Sequence, residues 1–391
     1  KKIGSCSVYD YDYKSLKEFK EKKFTSEEPL LSSIKTKNIN ILSNEEEIKK
    51  NNLIFFTYDT PIKQSNGYPN LKYIENKLKK LLQINFKKKT YIIILSQVYP
   101  GYMDYIIKKI KIRKNIKLFY MVDTLRMGTA IDIFLNPDQL VFGSKNITKD
   151  KAIIKKIFKK FKCKKYFYSY RDAELVKVAL NIFLFFSVSY SNIIDQLSWD
   201  NELKYSNIIE NIKNDNRIGK FSYTNPSIGI SGGHLERDIF YFQKLNKNLI
   251  SKKILNSMLN FNDYRKKRIN KLITKLSNNK KIKLLIIGLS YKQNSFSLTN
   301  SPFKFLFRNK NYIVSVYDDF FKINPDKSYK ILNSITNLKF YDFIIFNYSN
   351  ISSVKKIKNF CIKKSKSYLF NISLDKKQKF KGQNVINFFN R

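Results

Sequence analysis

The chain holds one histidine, His234, in the segment GISGGHLERDIF, directly behind two glycines and four residues ahead of Asp238. An imidazole there can act as a general base, can serve as a weak nucleophile, or can simply fill the loop and bond to backbone. A second pair stands in AELVKVALNIF, where Lys177 and Asn181 lie four residues apart. That interval puts both on one face of a helix, so a cation and an amide donor can address the same oxygen. Lys177 lies within an apolar run, which puts a site on an equal footing with the usual solvated face of a helical lysine. Cys6, Cys163 and Cys361 are odd in number, far apart and without a Cys-x-x-Cys pair. Neither a disulfide framework nor a metal site is expected, and a reducing cytoplasm suits them.

Strands and helices alternate in the first third of the chain. SVYDYD reads as a short strand ending in acids, and YKSLKEFKE as a helix. LIFFTYDTP and YIIILSQVYPG are apolar runs that stop at proline or glycine, and LKYIENKLKKLLQI between them has helical spacing. This order predicts a parallel sheet with right-handed crossovers. A long, mostly apolar helix is expected from Ala173 to about Tyr205, with further helix to Ser277. KIKLLIIGLSYK, YIVSVYDDFF and YDFIIFNYS then supply a second set of buried strands, after a linker near 275–283. The expected class is α/β, with two Rossmann-like parallel-sheet domains joined by a central helical domain. The boundaries fall at 1–172, 173–277 and 278–391.

At 391 residues, 43% hydrophobic and 15% aromatic, the chain can bury two or three cores and is not a disordered polyelectrolyte. The formal charge of +44 comes from 75 basic residues, of which only nine are arginine. The lysines are spread over every segment, with no arginine-rich groove. This pattern fits an AT-rich coding sequence and general attraction to polyanions better than a dedicated nucleic-acid surface. The longest apolar run, Val178 to Tyr190, is broken by Asn181 and Ser187 and falls short of the roughly 20 residues of a membrane span.

Several segments taken together resemble the nucleotide-sugar 6-dehydrogenases, the UDP-glucose/GDP-mannose dehydrogenase family. LSQVYPG resembles the family's Ser-Thr-Val-Pro strand end, and AELVKVALNIF its Ala-Glu-x-x-Lys-x-x-x-Asn-x-Phe. DTLRMGTAIDIFLNPDQLVFG resembles the stretch from Pro-Glu-x-Leu to Pro-Asp-Arg-x-Val-x-Gly. NRIGKF followed by GISGGHLERD matches Arg-Ile-Gly and then Gly-x-Gly-Gly-x-Cys-Leu-x-Lys-Asp. GLSYKQNSFSLTNSP resembles Gly-Leu-x-Phe-Lys-x-(Asn/Asp)-x-x-x-x-Arg-x-Ser-Pro. Each motif alone is weak, and their common order along nearly the whole chain is specific.

The resemblance implies NAD-dependent oxidation of the C6 alcohol of a nucleotide sugar such as UDP-glucose, for polysaccharide precursors, by a cytoplasmic homodimer built on the long helix. Lys177 and Asn181 would hold the oxyanion at the oxidised carbon, and Asp238 would position water or share its proton. Asp123 stands where the family has a glutamate, and Gln97 where it has a threonine beside the reacting centre. Arg217 and Lys292 fall on substrate-binding positions, and Asp10, Thr60, Pro61 and Gln97 on the cofactor side. His234 occupies the place of the cysteine that carries the family's thioester. Oxidation through a thioester is therefore not expected, and the reaction would stop at the aldehyde or proceed through its hydrate with His234 or Asp238 as base.

The family's ribose-binding acid follows a Gly-x-Gly-x-x-Gly turn by about 20 residues. Counting back from Asp10 passes residue 1, so the first strand and glycine loop are expected to be missing from this sequence, and NAD binding to be weak. Thr299, Phe296 and Ser297 replace an arginine and acids, which reduces the charged nucleotide contacts. A non-catalytic relative that keeps the fold and the dimer as a binding protein is the rival reading. Specific nucleic-acid binding, a membrane span and a metal are not expected.

Overall fold

The computed structural model describes residues 6–21, 31, 39–61, 69–126, 128–232, 234–290, 298, 300–319, 328–362, 366–375 and 378–389. Two compact units emerge: residues 1–182 with 237–247, and residues 183–236 with 248–391.

In the first unit, strand β1 (Cys6–Val8) leads into helix α1 (Tyr13–Lys20) and pairs in parallel with β2 (Ile39–Ile41). A separate sheet has the order β3 (Leu53–Phe56), β4 (Thr90–Ile94), β5 (Ile116–Met121), β6 (Gln139–Gly143) and β7 (Lys164–Tyr168). The connecting helices are α2 (Leu71–Gln83), α3 (Tyr102–Lys109), α4 (Ala130–Leu135) and α5 (Ile147–Ile157). Alternation along the strands sorts side chains to two faces. Ile92, Ile94, Leu118 and Tyr120 join Leu78 of α2 and Ile106 of α3 in one core, while Ile93, Phe119 and Met121 join Ile154 of α5 in the other. With both faces covered, the strands read as continuous apolar runs. The sheet departs from the expected all-parallel arrangement at one ladder: β5 and β6 are antiparallel, over only Tyr120–Gly143 and Met121–Phe142.

Helix α6 (Tyr170–Asp200) begins three residues before the expected Ala173. Ser169 caps it there: its hydroxyl accepts the Asp172 N–H at 3.2 Å and donates to the Asp172 carboxylate at 2.7 Å. At the other end Glu202 is left-handed (φ 57°), and the Leu203 N–H reaches the Ser198 carbonyl at 2.8 Å. This closing turn stops the helix short of Tyr205. Among the described residues α6 is the one helix long and apolar enough to cross a membrane. Core helices pass the same test, and α6 buries Lys177, Asn181, Asn192 and Asp195.

The second unit contains α7 (Tyr205–Asn214), α9 (Leu249–Leu276) and a six-stranded sheet, while α8 (His234–Leu245) is shared between the units. The strands are β8 (Ile282–Ile287), β9 (Tyr312–Tyr317), β10 (Lys330–Leu332), β11 (Phe343–Phe346), β12 (Tyr368–Asn371) and β13 (Val385–Asn387), with α10 (Lys304–Phe307) and α11 (Ile351–Ile362) between them. All its ladders are parallel and the order is β10-β9-β8-β11-β12-β13, the doubly wound Rossmann order. Leu284, Ile286 and Ile345 pack with Ile269 and Ile273 of α9, whereas Leu285, Ile287 and Ile344 pack with Ile357 of α11. Arg265 of α9 is buried and bonds Asp195 at 2.7 Å, the Ser227 carbonyl at 2.8 Å and Gln196 at 3.3 Å.

Candidate active site

The C-terminal ends of parallel strands are where α/β folds gather ligands, and here the ends of β3 and β4 are tied to each other. Thr60, beyond β3, is buried and donates its hydroxyl to the Gln97 carbonyl, beyond β4, at 2.5 Å. Asp238 from α8 is fully buried in the same unit. Its Oδ2 accepts from the Asn181 amide at 2.6 Å and from the Gln97 side-chain amide. Arg237 is equally buried, and it donates to the Thr60 carbonyl at 2.8 Å, to Asp59 at 3.3 Å and to the Gln97 side-chain oxygen. Lys177, one turn before Asn181 on α6, is 8% exposed. The structure therefore brings Lys177, Asn181, Asp238, Gln97 and Thr60 into one neighbourhood.

Burial sets the electrostatics of this cluster. Desolvation pushes the Asp238 carboxyl up to about 6, against the opposing pull of Arg237, Asn181 and Lys177. The same cause lowers the Lys177 ammonium, while Asp123 and Asp238 work against that shift. Asp123 follows β5, and its Oδ1 accepts from the Leu125 N–H at 2.8 Å. An amine eased towards losing its proton, an amide donor and a carboxylate titrating near neutrality are suited to hold an oxyanion and to take a proton.

Glu174, one turn before Lys177, is fully buried and accepts from the Gly101 and Met103 N–H groups at 2.5 and 2.8 Å. It thus caps the start of α3, and burial raises its carboxyl to about 7. Its signal in the sequence was an acid inside an apolar run. Arg237 was the other residue missed. An arginine is rare in so lysine-rich a chain, and this one adjoins the site aspartate.

Of the remaining expected residues, His234 and Arg217 belong to the second unit and Lys292 lies outside the described residues. His234 is the exposed first residue of α8, one helical turn before Asp238. The first turn of α8 is held within the second unit by Glu236, which accepts from Lys266 and Asn300 at 2.6 Å and from Asn262 at 2.8 Å, and the segment before His234 by the Gly232 carbonyl, which accepts from Asn300 at 2.9 Å. Gly229 in that segment has φ 121°, and a Cβ there would meet the Lys266 side chain at 2.4 Å. Arg217 is exposed and pairs with Asp215 at 2.7 Å. Lys292, with Phe296, Ser297 and Thr299, lies outside the described residues.

Two family models match the chain: the NAD binding domain of the UDP-glucose/GDP-mannose dehydrogenase family over residues 5–162, and its central domain over residues 171–264. The chain belongs to the UDP-glucose/GDP-mannose dehydrogenase family. UDP-glucose 6-dehydrogenase of Rickettsia conorii is 29% identical over 296 residues, covering 74% of this chain and 67% of that protein. The Campylobacter jejuni UDP-glucose 6-dehydrogenase is 29% identical over 306 residues, covering 75% and 74%. In fold, the chain is similar to a UDP-glucose dehydrogenase from Pyrobaculum islandicum, with a TM-score of 0.83 at 17% identity over 98% of this chain and 92% of that one. A UDP-D-ManNAc dehydrogenase from Pyrococcus horikoshii gives 0.82 at 15% identity over 99% and 94%.

NAD is the cofactor of this family, and the described residues can be compared with its parts. Asp10, just past β1, accepts on Oδ1 from the Asp12 N–H at 2.8 Å and the Tyr58 hydroxyl at 3.1 Å. Its Oδ2 takes no hydrogen bond among the described residues, which leaves an acceptor for a ribose diol. The ribose end therefore fits. The first turns of α1 and α3 carry their own carboxylates, from Asp12 and Glu174, so neither of these helix starts is a phosphate cradle.

Proposed function

We propose that this chain oxidises the C6 alcohol of a nucleotide sugar such as UDP-glucose, using NAD, in the cytoplasmic synthesis of polysaccharide precursors. The observation that carries this reading is the meeting of Lys177, Asn181 and Asp238 in one buried cluster, although Asn181 and Asp238 are 57 residues apart in sequence. When bound, NAD supplies the hydride acceptor. Lys177 and Asn181 hold the sugar oxygen as it gains negative charge, and Asp238 takes the proton. Burial of these groups in a low dielectric strengthens each contact.

The reading extends to residues whose positions follow from the family pattern. Arg217 and Lys292 serve the nucleotide sugar, Asp10, Thr60, Pro61 and Gln97 lie on the cofactor side, and Asp123 shares with Asp238 the duty of positioning water or sharing its proton. His234 stands where a thiol would trap the aldehyde, so the chain releases the aldehyde or oxidises its hydrate with His234 or Asp238 as base. The domains are 1–172 for the cofactor, 173–277 for dimerisation and 278–391 for the UDP-sugar. The homodimer is supported by α6, which exposes Phe183, Tyr190, Ile193 and Leu197 at near-heptad intervals, an apolar seam for a second copy.

The test is NADH formation, read by absorbance, from UDP-glucose and NAD with the purified chain. Activity that falls at least about a hundredfold in Lys177→Met is expected from loss of an oxyanion donor. No NADH, together with UDP-glucose binding by calorimetry, would replace this reading with that of a non-catalytic, dimeric binding protein.

A further inference from the structure

Gln97 is 7% exposed and uses both ends of its side-chain amide. The Nε2 end donates to Asp238 Oδ2, and the Oε1 end accepts from Arg237 Nη2. Arg237 and Asp238 are chain neighbours, both buried, yet they do not close into a two-pronged ion pair. Their nearest ion-pair approach, Arg237 Nε to Asp238 Oδ1, is 3.7 Å. Arg237 turns Nη1 to the Thr60 carbonyl and Asp59 instead, and Asp238 Oδ1 has no hydrogen-bond partner among the described residues. A closed arginine–carboxylate fork is strong and would hold both oxygens deprotonated and occupied. Such a carboxylate is a poor base.

We propose that Gln97 is a positioning residue for Asp238: its amide spaces the Arg237 guanidinium from the carboxylate and fixes Oδ2, which keeps Oδ1 able to take a proton. This rests on Asp238 acting as the base in the proposed oxidation. Other groups face Asp238 as well. Lys177 and Asn181 approach from α6, Arg237 and Tyr241 belong to α8, Tyr120 comes from β5 and Asp123 from the segment after it. Of these only Arg237 has the fork to cap both carboxylate oxygens, and Gln97 is the group placed between the two. Burial raises the Asp238 carboxyl to about 6 although Arg237, with Nε 3.7 Å from Oδ1, pulls it the other way.

The test is NMR titration of the aspartate carboxyl carbons in the full chain, with the Asp238 signal assigned through Asp238→Asn. In Gln97→Ala the spacer is gone, Arg237 closes on the carboxylate, and the Asp238 midpoint falls by about one unit, a tenfold loss of proton affinity. In Gln97→Glu the length and the Arg237 contact are kept but a second carboxyl adjoins Asp238, and the pair's upper midpoint rises by about one unit. If the alanine variant does not fold, the glutamate variant decides. A midpoint that does not move, or that moves the same way in both variants, overturns the proposal.

Kinetics give a second readout. In Gln97→Ala, the acidic limb of the kcat pH profile moves down by about one unit, as expected when the base holds its proton less tightly, whatever happens to KM for NAD. An acidic limb that does not move, with only KM for NAD changed, would leave Gln97 a cofactor contact alone and overturn the proposal. If the wild-type chain forms no NADH while the two midpoints move in opposite directions, the dehydrogenase reading fails and the spacing of Arg237 from Asp238 stands.

Discussion

The tetrapeptide Ser-Val-Tyr-Asp ends at Asp10 in the first unit and again at Asp318 in the second. Both copies close a strand that pairs in parallel with the next one, β1 with β2 and β9 with β10. In each unit a tyrosine two residues beyond another strand donates to that aspartate: Tyr58 after β3 at 3.1 Å, and Tyr348 after β11 at 2.7 Å. Each tyrosine hydroxyl also accepts a backbone N–H, from Tyr11 in one case and Ser290 in the other. The surroundings then diverge. In the second unit β8 lies between β9 and β11, and the turn after it lays the Leu289 N–H on Asp318 at 2.7 Å. That turn needs Gly288, with φ 83°, because a Cβ would stand 2.6 Å from the Tyr348 carbonyl. In the first unit no described strand is bonded between β1 and β3. The same Tyr-Asp pair is thus a buried girder in one sheet and a half-exposed pair in the other.

If that contrast is right, Asp318→Ala should destabilise the chain by about 3 kcal/mol, since two buried donors lose their acceptor, while Asp10→Ala costs under about 1 kcal/mol. Urea denaturation of the two variants compares them directly, and equal losses would break the contrast. The next effect is pH-dependent and belongs to the first unit. Glu174 has its carboxyl raised from 4.5 to about 7 by burial, so the folded chain holds a proton that the unfolded chain releases earlier. Its stabilisation is complete below about pH 4.5 and is lost as pH rises through 7, on the order of 3 kcal/mol. Protection factors of β4 and β5 amides, taken relative to the intrinsic exchange rate at each pH, should rise on acidification across that window, and Glu174→Gln should flatten the change. The smallest effect separates the tyrosines. Tyr348→Phe is expected to cost about 1–2 kcal/mol and Tyr58→Phe about half of that, because Tyr348 alone bonds a fully buried acid.

Helix periodicity made Lys177 and Asn181 legible, because a four-residue interval inside an apolar run has one structural meaning. The strands β4, β8 and β11 were legible for a similar reason, as runs with no polar face. The ends of α6 were not, because Ser169, Asp172 and Glu202 set them through local bonds that an apolar count does not register. The link from Gln97 to Arg237 and Asp238 was also out of reach. It joins residues 140 and 141 positions apart, and its chemistry appears only when two loop ends and a helix meet. A motif points to Asp238 itself, while the lack of a hydrogen bond to its Oδ1 among the described residues is a property of packing.

Arg265 carries a consequence for how this sequence can change. Nearly every cation in the chain is a lysine, as expected where nucleotide composition pulls codons away from arginine. Arg265 sends donors to Asp195, Ser227, Asn192 and Gln196 from a fully buried position, and Arg237 serves Thr60, Asp59 and Gln97 from another. A lysine ammonium has three donors at a single point and cannot span such separated acceptors. Lysine, the cation used nearly everywhere else in this chain, is therefore the replacement that these two positions can least accept, since it would leave buried acceptors unmatched.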